Sequence, residues 1–183
     1  MEVGAEEGYY TPDEQEIITY GMERWSVFWK STVVVVGISV LLGVLPQGIL
    51  FLLTFVPLRM YAGGYHADAE WKCYLSSTVI VLISLFVMKY WGYAAGFGWF
   101  AAAISSVIIF LMAPVDNGNK RLEEVERTVY RKRTRIIFLC ESGLLIAAAI
   151  WQQDVLCAPI IDSFCIVASS LAMGRVKNYK EKK

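Results

Sequence analysis

The sequence predicts an all-α protein: a polytopic membrane helical bundle of about six transmembrane helices, with an amphipathic surface helix at its N-terminus. Of its 183 residues, 56% are hydrophobic and only 19% are charged, whereas soluble domains hold about 45–50% apolar and roughly 25% charged residues. Charged side chains are absent from residues 31–58, 73–88 and 90–115. A transmembrane helix needs about 20 apolar residues, so these stretches are typical of membrane segments. We treat residues 1–183 as one domain.

The overall charge balance limits the classes of partner. The chain has 17 basic and 17 acidic residues, so its net charge is zero and a nucleic-acid partner is not expected. Its hydrophobicity also excludes intrinsic disorder, and four cysteines are too few for a disulfide framework in a chain of this length.

The N-terminal segment, residues 1–26, predicts an amphipathic helix on the cytoplasmic surface of the membrane. Thr11, Pro12 and Glu14 form a helix start, because a threonine cap, an early proline and a following glutamate satisfy or tolerate the free amide groups there. Apolar side chains then cluster toward one side of this helix: Ile17, Ile18, Met22, Trp25 and Trp29. We expect the first membrane span to follow at residues 27–45.

The second apolar run is short. Pro46-Gln47-Gly48 predicts a turn, and residues 49–58 predict a returning helix that is too short to cross the membrane at about 1.5 Å per residue. Either this helix stops within the bilayer or the polar segment after it is partly embedded. We favour embedding, because non-helical backbone is tolerated at membrane depth where protein surrounds it.

Four further apolar runs complete the predicted bundle: residues 73–90, 97–114, 136–151 and 155–174. Bases concentrate in the 116–135 loop and again in the C-terminal tail. Because cytoplasmic loops carry an excess of lysine and arginine, we expect this loop and the tail on the cytoplasmic side of a cell membrane. An even number of spans then places the N-terminus inside too, and residues 59–73 at the cytoplasmic face.

Residues 59–73 form the candidate catalytic segment, because they hold the only histidine of the chain, His66, and a cysteine seven positions later, Cys73. Nucleophilic catalysis by a thiol needs a thiolate and a base that holds or delivers its proton, and histidine titrates closest to neutral pH. Asp68 is placed to cap a helix that starts near Ala69. Cys73 would then lie in the first turns, where the helix dipole favours a thiolate.

Geometry restricts how this pair can act. In one straight helix His66 and Cys73 share a face but lie about 10.5 Å apart along the axis, too far for a hydrogen bond. We therefore expect a bend between them, with Asp68 at or near it, and a corner at Gly63-Gly64 where the backbone can approach a substrate. A dyad formed across a dimer interface also satisfies the distance.

The segment resembles a known family motif. Arg59, the run Tyr61-Ala62-Gly63-Gly64-Tyr65-His66-Ala67 and Cys73 closely resemble the motif of the accessory gene regulator B (AgrB) family, membrane cysteine endopeptidases of Gram-positive quorum-sensing systems. The resemblance also covers Ala113-Pro114, Asn119-Lys120 and the spacing of the hydrophobic runs. It therefore extends over most of the chain.

The resemblance implies a role for each motif residue. Cys73 would be the nucleophile and His66 its base, while Arg59 and Gly64 would be structural or substrate-orienting. Either Asp68 or Glu70, or neither, would orient His66. The implied substrate is an AgrD-like precursor peptide with an amphipathic leader and an acidic C-terminal tail, and a homodimer is expected.

The chemistry of the residues fits that role. Attack by the Cys73 sulfur would release the tail and leave a thioester, which a thiol or hydroxyl within the peptide would convert to a thiolactone or lactone ring. No cofactor is expected. No metal is expected either, because one histidine and scattered cysteines do not provide tetrahedral ligand spacing.

Several features keep alternatives open. The basic 116–135 loop either attracts the acidic tail or sets topology by contacting anionic membrane lipid. Glu141 and Asp162 are ionisable groups at membrane depth, which by default indicates function. They support a second hypothesis, a non-catalytic small membrane transporter or scaffold. The remaining cysteines fall in predicted spans and are expected to be packing residues: Cys140, Cys157 and Cys165.

Overall fold

A computed structural model describes residues 12–65, 70–90, 96–116 and 123–180, with side chains described throughout except at 70–74 and at most positions of 12–28. Within these ranges the chain is all-α, as predicted, and forms no strand. Its helices are α1 (Pro12–Leu42), α2 (Leu45–Ala62), α3 (Glu70–Tyr90), α4 (Phe97–Met112), α5 (Glu124–Ile150) and α6 (Asp154–Lys180).

Helix α1 joins two elements that the sequence predicted separately. It begins at Pro12, as expected, and continues without interruption to Leu42 over 31 residues. At about 1.5 Å per residue it is about 46 Å long, more than the roughly 30 Å of the hydrocarbon core. The predicted surface helix and the predicted first span are therefore two parts of one helix.

Helix α2 is longer than predicted. It spans Leu45–Ala62, so the expected turn at Pro46-Gln47-Gly48 and the ten-residue helix at 49–58 were wrong. Proline in the first turn of a helix loses no hydrogen bond, because the first amide groups have no partner within the helix. The actual turn lies at Gly43-Val44, where the Val44 amide donates to the Ser39 carbonyl at 2.8 Å.

Two helices are long and apolar enough to cross a membrane, judged by length and composition among the described residues: α2 and α6. Helices α1, α3 and α4 contribute shorter apolar stretches, Trp29–Leu42, Leu75–Tyr90 and Phe97–Met112. The helices also carry large apolar side chains on the outside, including Leu41, which is 85% exposed, and Leu111, which is 72% exposed. These features support association with a membrane.

Helix α6 forms the centre of the bundle and packs against α2, α4 and α5. Its inward side chains are almost completely buried: Ile160, Ile161, Phe164, Val167 and Leu171. The Phe164 ring contacts that of Phe138 on α5, with ring centroids 5.2 Å apart. A second core cluster joins α1, α2 and α3 around Val35, Phe51 and Leu85.

Removing the Phe164 ring is expected to destabilise the bundle. Phe164→Ala would leave a cavity between α5 and α6, at a cost of about 3–5 kcal/mol in the free energy of unfolding. The matched control is Phe100→Ala on α4, because Phe100 is 65% exposed. Denaturation with sodium dodecyl sulfate in mixed micelles measures both variants, and equal losses would contradict the central position of α6.

Candidate functional site

The candidate catalytic segment begins with the end of α2. Arg59 lies in the last helical turn, and the Gly63 amide closes the helix by donating to the Arg59 carbonyl at 3.3 Å. Gly63 and Gly64 then have φ angles of +72° and +114°, which side chains with a Cβ rarely adopt. The chain therefore leaves the helix through a turn at residues 63–65, which we call the 63–65 turn.

The 63–65 turn is hydrogen-bonded on one side to the segment after α4. The Gly64 amide donates to the Val115 carbonyl at 3.2 Å, and the Val115 amide donates to the Ala62 carbonyl at 3.0 Å. This pair of bonds forms an isolated parallel bridge between Gly63 and Val115. Val115 is buried, so the turn is held from within the bundle rather than at its surface.

The other side of the turn is bonded to α6 and to α2. The Tyr65 amide donates to the Ser170 carbonyl at 2.9 Å, and the Arg59 guanidinium donates from Nη2 to the Tyr65 carbonyl at 2.6 Å. Both backbone groups of Tyr65 are therefore engaged. Because Tyr65 directly precedes His66, these bonds fix the backbone position of the residue to which His66 is joined.

A glycine of α6 makes this close approach possible. A Cβ at Gly174 would lie 2.7 Å from the Tyr65 nitrogen and 2.8 Å from the Gly64 carbonyl carbon. Gly174 is not among the site residues that the sequence predicted. An isolated glycine inside an apolar helical run is the signal that marks such a backbone contact.

The nucleophile candidate lies at the start of α3. The helix begins at Glu70, close to the expected start near Ala69, so Cys73 falls in its first turn. His66, Asp68 and the bend expected there lie outside the described residues, and the side chains of Glu70 and Cys73 are not described. The corner expected at Gly63-Gly64 is present, because residues 63–65 are not helical and both glycines have positive φ angles.

A cavity of about 480 Å³ lies between α2, α3 and α6, next to the 63–65 turn. Its walls are mainly apolar, with several serines, and Arg59 is the only charged residue among the described side chains that line it. Helices α2, α3 and α6 contribute Phe51, Phe55, Arg59, Ser76, Ser77, Ile80, Val81, Cys165, Ile166, Ser169, Ser170 and Met173, and the turn contributes Tyr65. A volume of this size is typical of small-ligand sites.

Basic side chains surround the same end of the bundle. Arg133 donates from Nη1 to the Tyr61 hydroxyl at 3.2 Å, and Arg127 forms an ion pair with Asp116. The region predicted as a basic loop at 116–135 is helical from Glu124 onward, so its bases from Arg127 to Arg135 lie on the first turns of α5. Lys120 and Arg121 lie outside the described residues. Glu123, at the N-cap, and Glu126, in the first turn, form a capping box, which explains this early start.

The other candidate residues lie on α5 and α6 and differ in burial. Cys157 is buried, Cys165 accepts a hydrogen bond from the Ser105 hydroxyl at 3.6 Å, and Cys140 is exposed on the outer face rather than packed inside. The Glu141 carboxylate is buried, and its Oε2 has no hydrogen-bond partner among the described residues. Asp162 is half-buried. No three His, Cys, Asp or Glu residues in the described ranges are grouped to hold a metal ion.

Comparison with known proteins connects this site to one family. The family model described as Accessory gene regulator B matches residues 2–173. Protein FsrB of Enterococcus faecalis is 25% identical over 151 residues, which cover 77% of this chain and 61% of FsrB. The alignment thus spans less than two thirds of that relative.

Two AgrB-like proteins of Listeria monocytogenes, from serotypes 4a and 4b, are each 26% identical, and their alignments cover 96% of this chain and 86% of theirs. No solved structure matches the chain. The matched family is a membrane family that takes part in quorum-sensing peptide processing. With nearly its whole length covered by the family model, this chain belongs to the accessory gene regulator B family.

Proposed function

We propose that this protein is a membrane-embedded cysteine endopeptidase that removes the C-terminal tail of an AgrD-like precursor peptide. Cys73 would form a thioester with the remaining peptide, which then closes to a thiolactone or lactone autoinducing peptide. The observation that carries the proposal is the double anchoring of Tyr65 by Arg59 and Ser170, immediately before His66. A catalytic base needs such a fixed backbone if it is to meet its nucleophile.

Described residues next to both candidate catalytic positions line the same cavity. Tyr65, which precedes His66, lines the cavity, and so do Ser76 and Ser77, which follow Cys73 by about one helical turn. We propose that His66 and Cys73 act together next to this cavity. The start of α3 supplies partial positive charge, which favours the thiolate form of Cys73.

The proposed reaction has two steps, acylation of Cys73 and ring closure. The Cys73 thiolate attacks the scissile carbonyl carbon, the carbon–nitrogen bond breaks, and the leaving nitrogen takes a proton from the His66 imidazolium. A thiol or hydroxyl of the bound peptide then gives its proton to His66 and attacks the thioester, which closes the ring and restores the Cys73 thiolate. The apolar walls of the cavity slow the competing hydrolysis by excluding water.

The supporting residues act through the backbone. Arg59 holds the Tyr65 carbonyl, and Gly64 permits the positive φ angle of the turn, so both are positioning residues. Asp68 and Glu70 are the candidates for orienting the His66 ring. No cofactor or metal is required by this chemistry.

We also propose a cytoplasmic location for the site. The turn, the start of α5 and the end of α6 lie at one end of the bundle, because Arg133 contacts Tyr61 and Asn178 donates to the Asp116 carbonyl at 2.9 Å. Exposed bases gather there, and positive charge marks the cytoplasmic side of membrane proteins. The proposed arrangement has six spans with both termini inside, in a homodimer, with the bases contacting the acidic tail or anionic lipid.

One observation favours a second candidate function. The buried Glu141 carboxylate, with Oε2 unpaired among the described residues, is the kind of group that transporters place at membrane depth. In a non-catalytic transporter or scaffold, replacing Glu141 or Asp162 would abolish function, whereas replacing Cys73 would not.

Removing either catalytic group is expected to abolish processing. Cys73→Ala and His66→Ala should each lower cleavage of an AgrD-like precursor by at least about 1,000-fold, because nucleophile and base act as a unit. Mass spectrometry of the purified protein mixed with the precursor should show a peptide adduct on Cys73 and a released C-terminal fragment. The control is Cys140→Ala, which changes an exposed thiol on α5. Full maturation by the Cys73→Ala variant would refute the proposal.

Crowding the 63–65 turn is expected to slow the chemical step. Gly174→Ala adds a methyl group against the Tyr65 nitrogen and should lower kcat by about 10- to 100-fold through displacement of His66, with KM little changed. The control is Gly143→Ala, because a Cβ there has no neighbour within 4 Å. Steady-state cleavage and thermal unfolding are measured for both. If kcat fell only in proportion to the fraction unfolded, Gly174 would not be a positioning residue.

A further inference from the structure

The cavity beside the 63–65 turn combines apolar walls with a few hydroxyl groups. Phe51 and Phe55 of α2 line one side, with their rings stacked 5.2 Å apart between centroids. Ile80 of α3 and Met173 of α6 line the others. The one charged residue described in the lining, Arg59, already donates to the Tyr65 carbonyl. This surface therefore suits apolar side chains rather than charged ones.

The register of α3 relates this cavity to the nucleophile. The α3 residues that line it are Ser76, Ser77, Ile80 and Val81. They follow position 73 by 3, 4, 7 and 8 residues, which is the spacing of one face of an α-helix. Cys73 thus occupies the first position of the face that borders the cavity. A peptide joined to this position has its neighbouring residues within reach of the cavity.

We propose that this cavity is the specificity pocket of the peptidase and binds the one or two apolar side chains that precede the scissile bond. The inference rests on the proposed function and adds the chemical class of residue that the enzyme selects. We assign the pocket to the acyl side of the scissile bond, which stays attached to Cys73, because the released tail is expected to be acidic. An acidic tail is better matched by the exposed bases of α5, among them Arg131, Lys132 and Arg135.

The serines distinguish a peptide from a lipid chain as the occupant. Ser76 and Ser77 line the α3 side, and Ser169 and Ser170 line the α6 side. Their hydroxyl oxygens can accept hydrogen bonds from the backbone amides of a peptide, even at Ser169, whose hydroxyl donates to the Cys165 carbonyl at 2.7 Å, whereas an acyl chain offers no partner. A wall of pure hydrocarbon would serve a lipid better. A mainly apolar lining with a few hydroxyl groups is typical of pockets that bind a specific ligand.

The test reduces the pocket and asks whether substrate preference changes. Ile80→Trp fills part of the cavity, so kcat/KM should fall about tenfold or more for the natural AgrD-like precursor. For a precursor whose two residues before the scissile bond are both alanine, the same variant should lose less than about threefold. We also expect the natural residues at those two positions to include a large apolar side chain. Cleavage is followed by mass spectrometry of the released tail.

The matched control is Leu82→Trp, on the opposite face of α3. Leu82 is 48% exposed and does not line the cavity, whereas Ile80 is 38% exposed and does. Leu82→Trp should process both precursors at the parental rate. Three results would overturn the pocket assignment: an equal loss of kcat/KM on both precursors in Ile80→Trp, no loss on either precursor, or charged residues at both substrate positions. A cavity filled by a lipid chain would give one of the first two results.

The two proposals fail in different ways. If the parent protein cleaves the precursor and the Cys73→Ala variant does not, the peptidase function stands. The Ile80→Trp comparison then tests the pocket alone. If the parent protein shows no cleavage that depends on Cys73, the proposed function itself fails, and the pocket assignment falls with it.

Discussion

The structure depends on the hydrogen bonds that hold the 63–65 turn between α6 and the segment after α4. A turn placed against apolar helices must satisfy its backbone groups within the protein, because unpaired amides and carbonyls are costly where water is scarce. Here the Gly64 amide bonds to Val115, the Tyr65 amide bonds to Ser170, and the Tyr65 carbonyl accepts from Arg59. Each bond uses a different partner element, so the turn and the bundle fix one another.

This constraint explains why small residues gather at the turn. Gly63 and Gly64 provide the positive φ angles, and Gly174 lets the backbone of the turn reach the surface of α6. The central helix α6 therefore has two functions. Its middle part fills the core with large side chains such as Phe164, and its last turns present a glycine and the Ser170 carbonyl to the proposed catalytic segment.

The same arrangement separates two kinds of surface at one end of the bundle. The cavity between α2, α3 and α6 is mainly apolar, while α5 and the end of α6 carry exposed bases such as Arg131 and Arg175. A peptide with an apolar segment followed by an acidic tail matches these two surfaces in order. A cleavage site between them is consistent with a nucleophile at the start of α3, which begins at Glu70.

By itself the sequence determined the helical class, the membrane character, the family motif and the candidate pair His66 and Cys73, because composition, charge-free runs and local spacing are properties of the linear chain. It misplaced the bounds of α2, because Pro46 signals a turn as readily as a first helical turn. Only the tertiary structure decided that Val115, Ser170 and Gly174 surround the turn and that Ile80 shares a cavity with Phe55. These residues are far apart in the chain, and no local pattern encodes a contact that exists only when separate helices pack together.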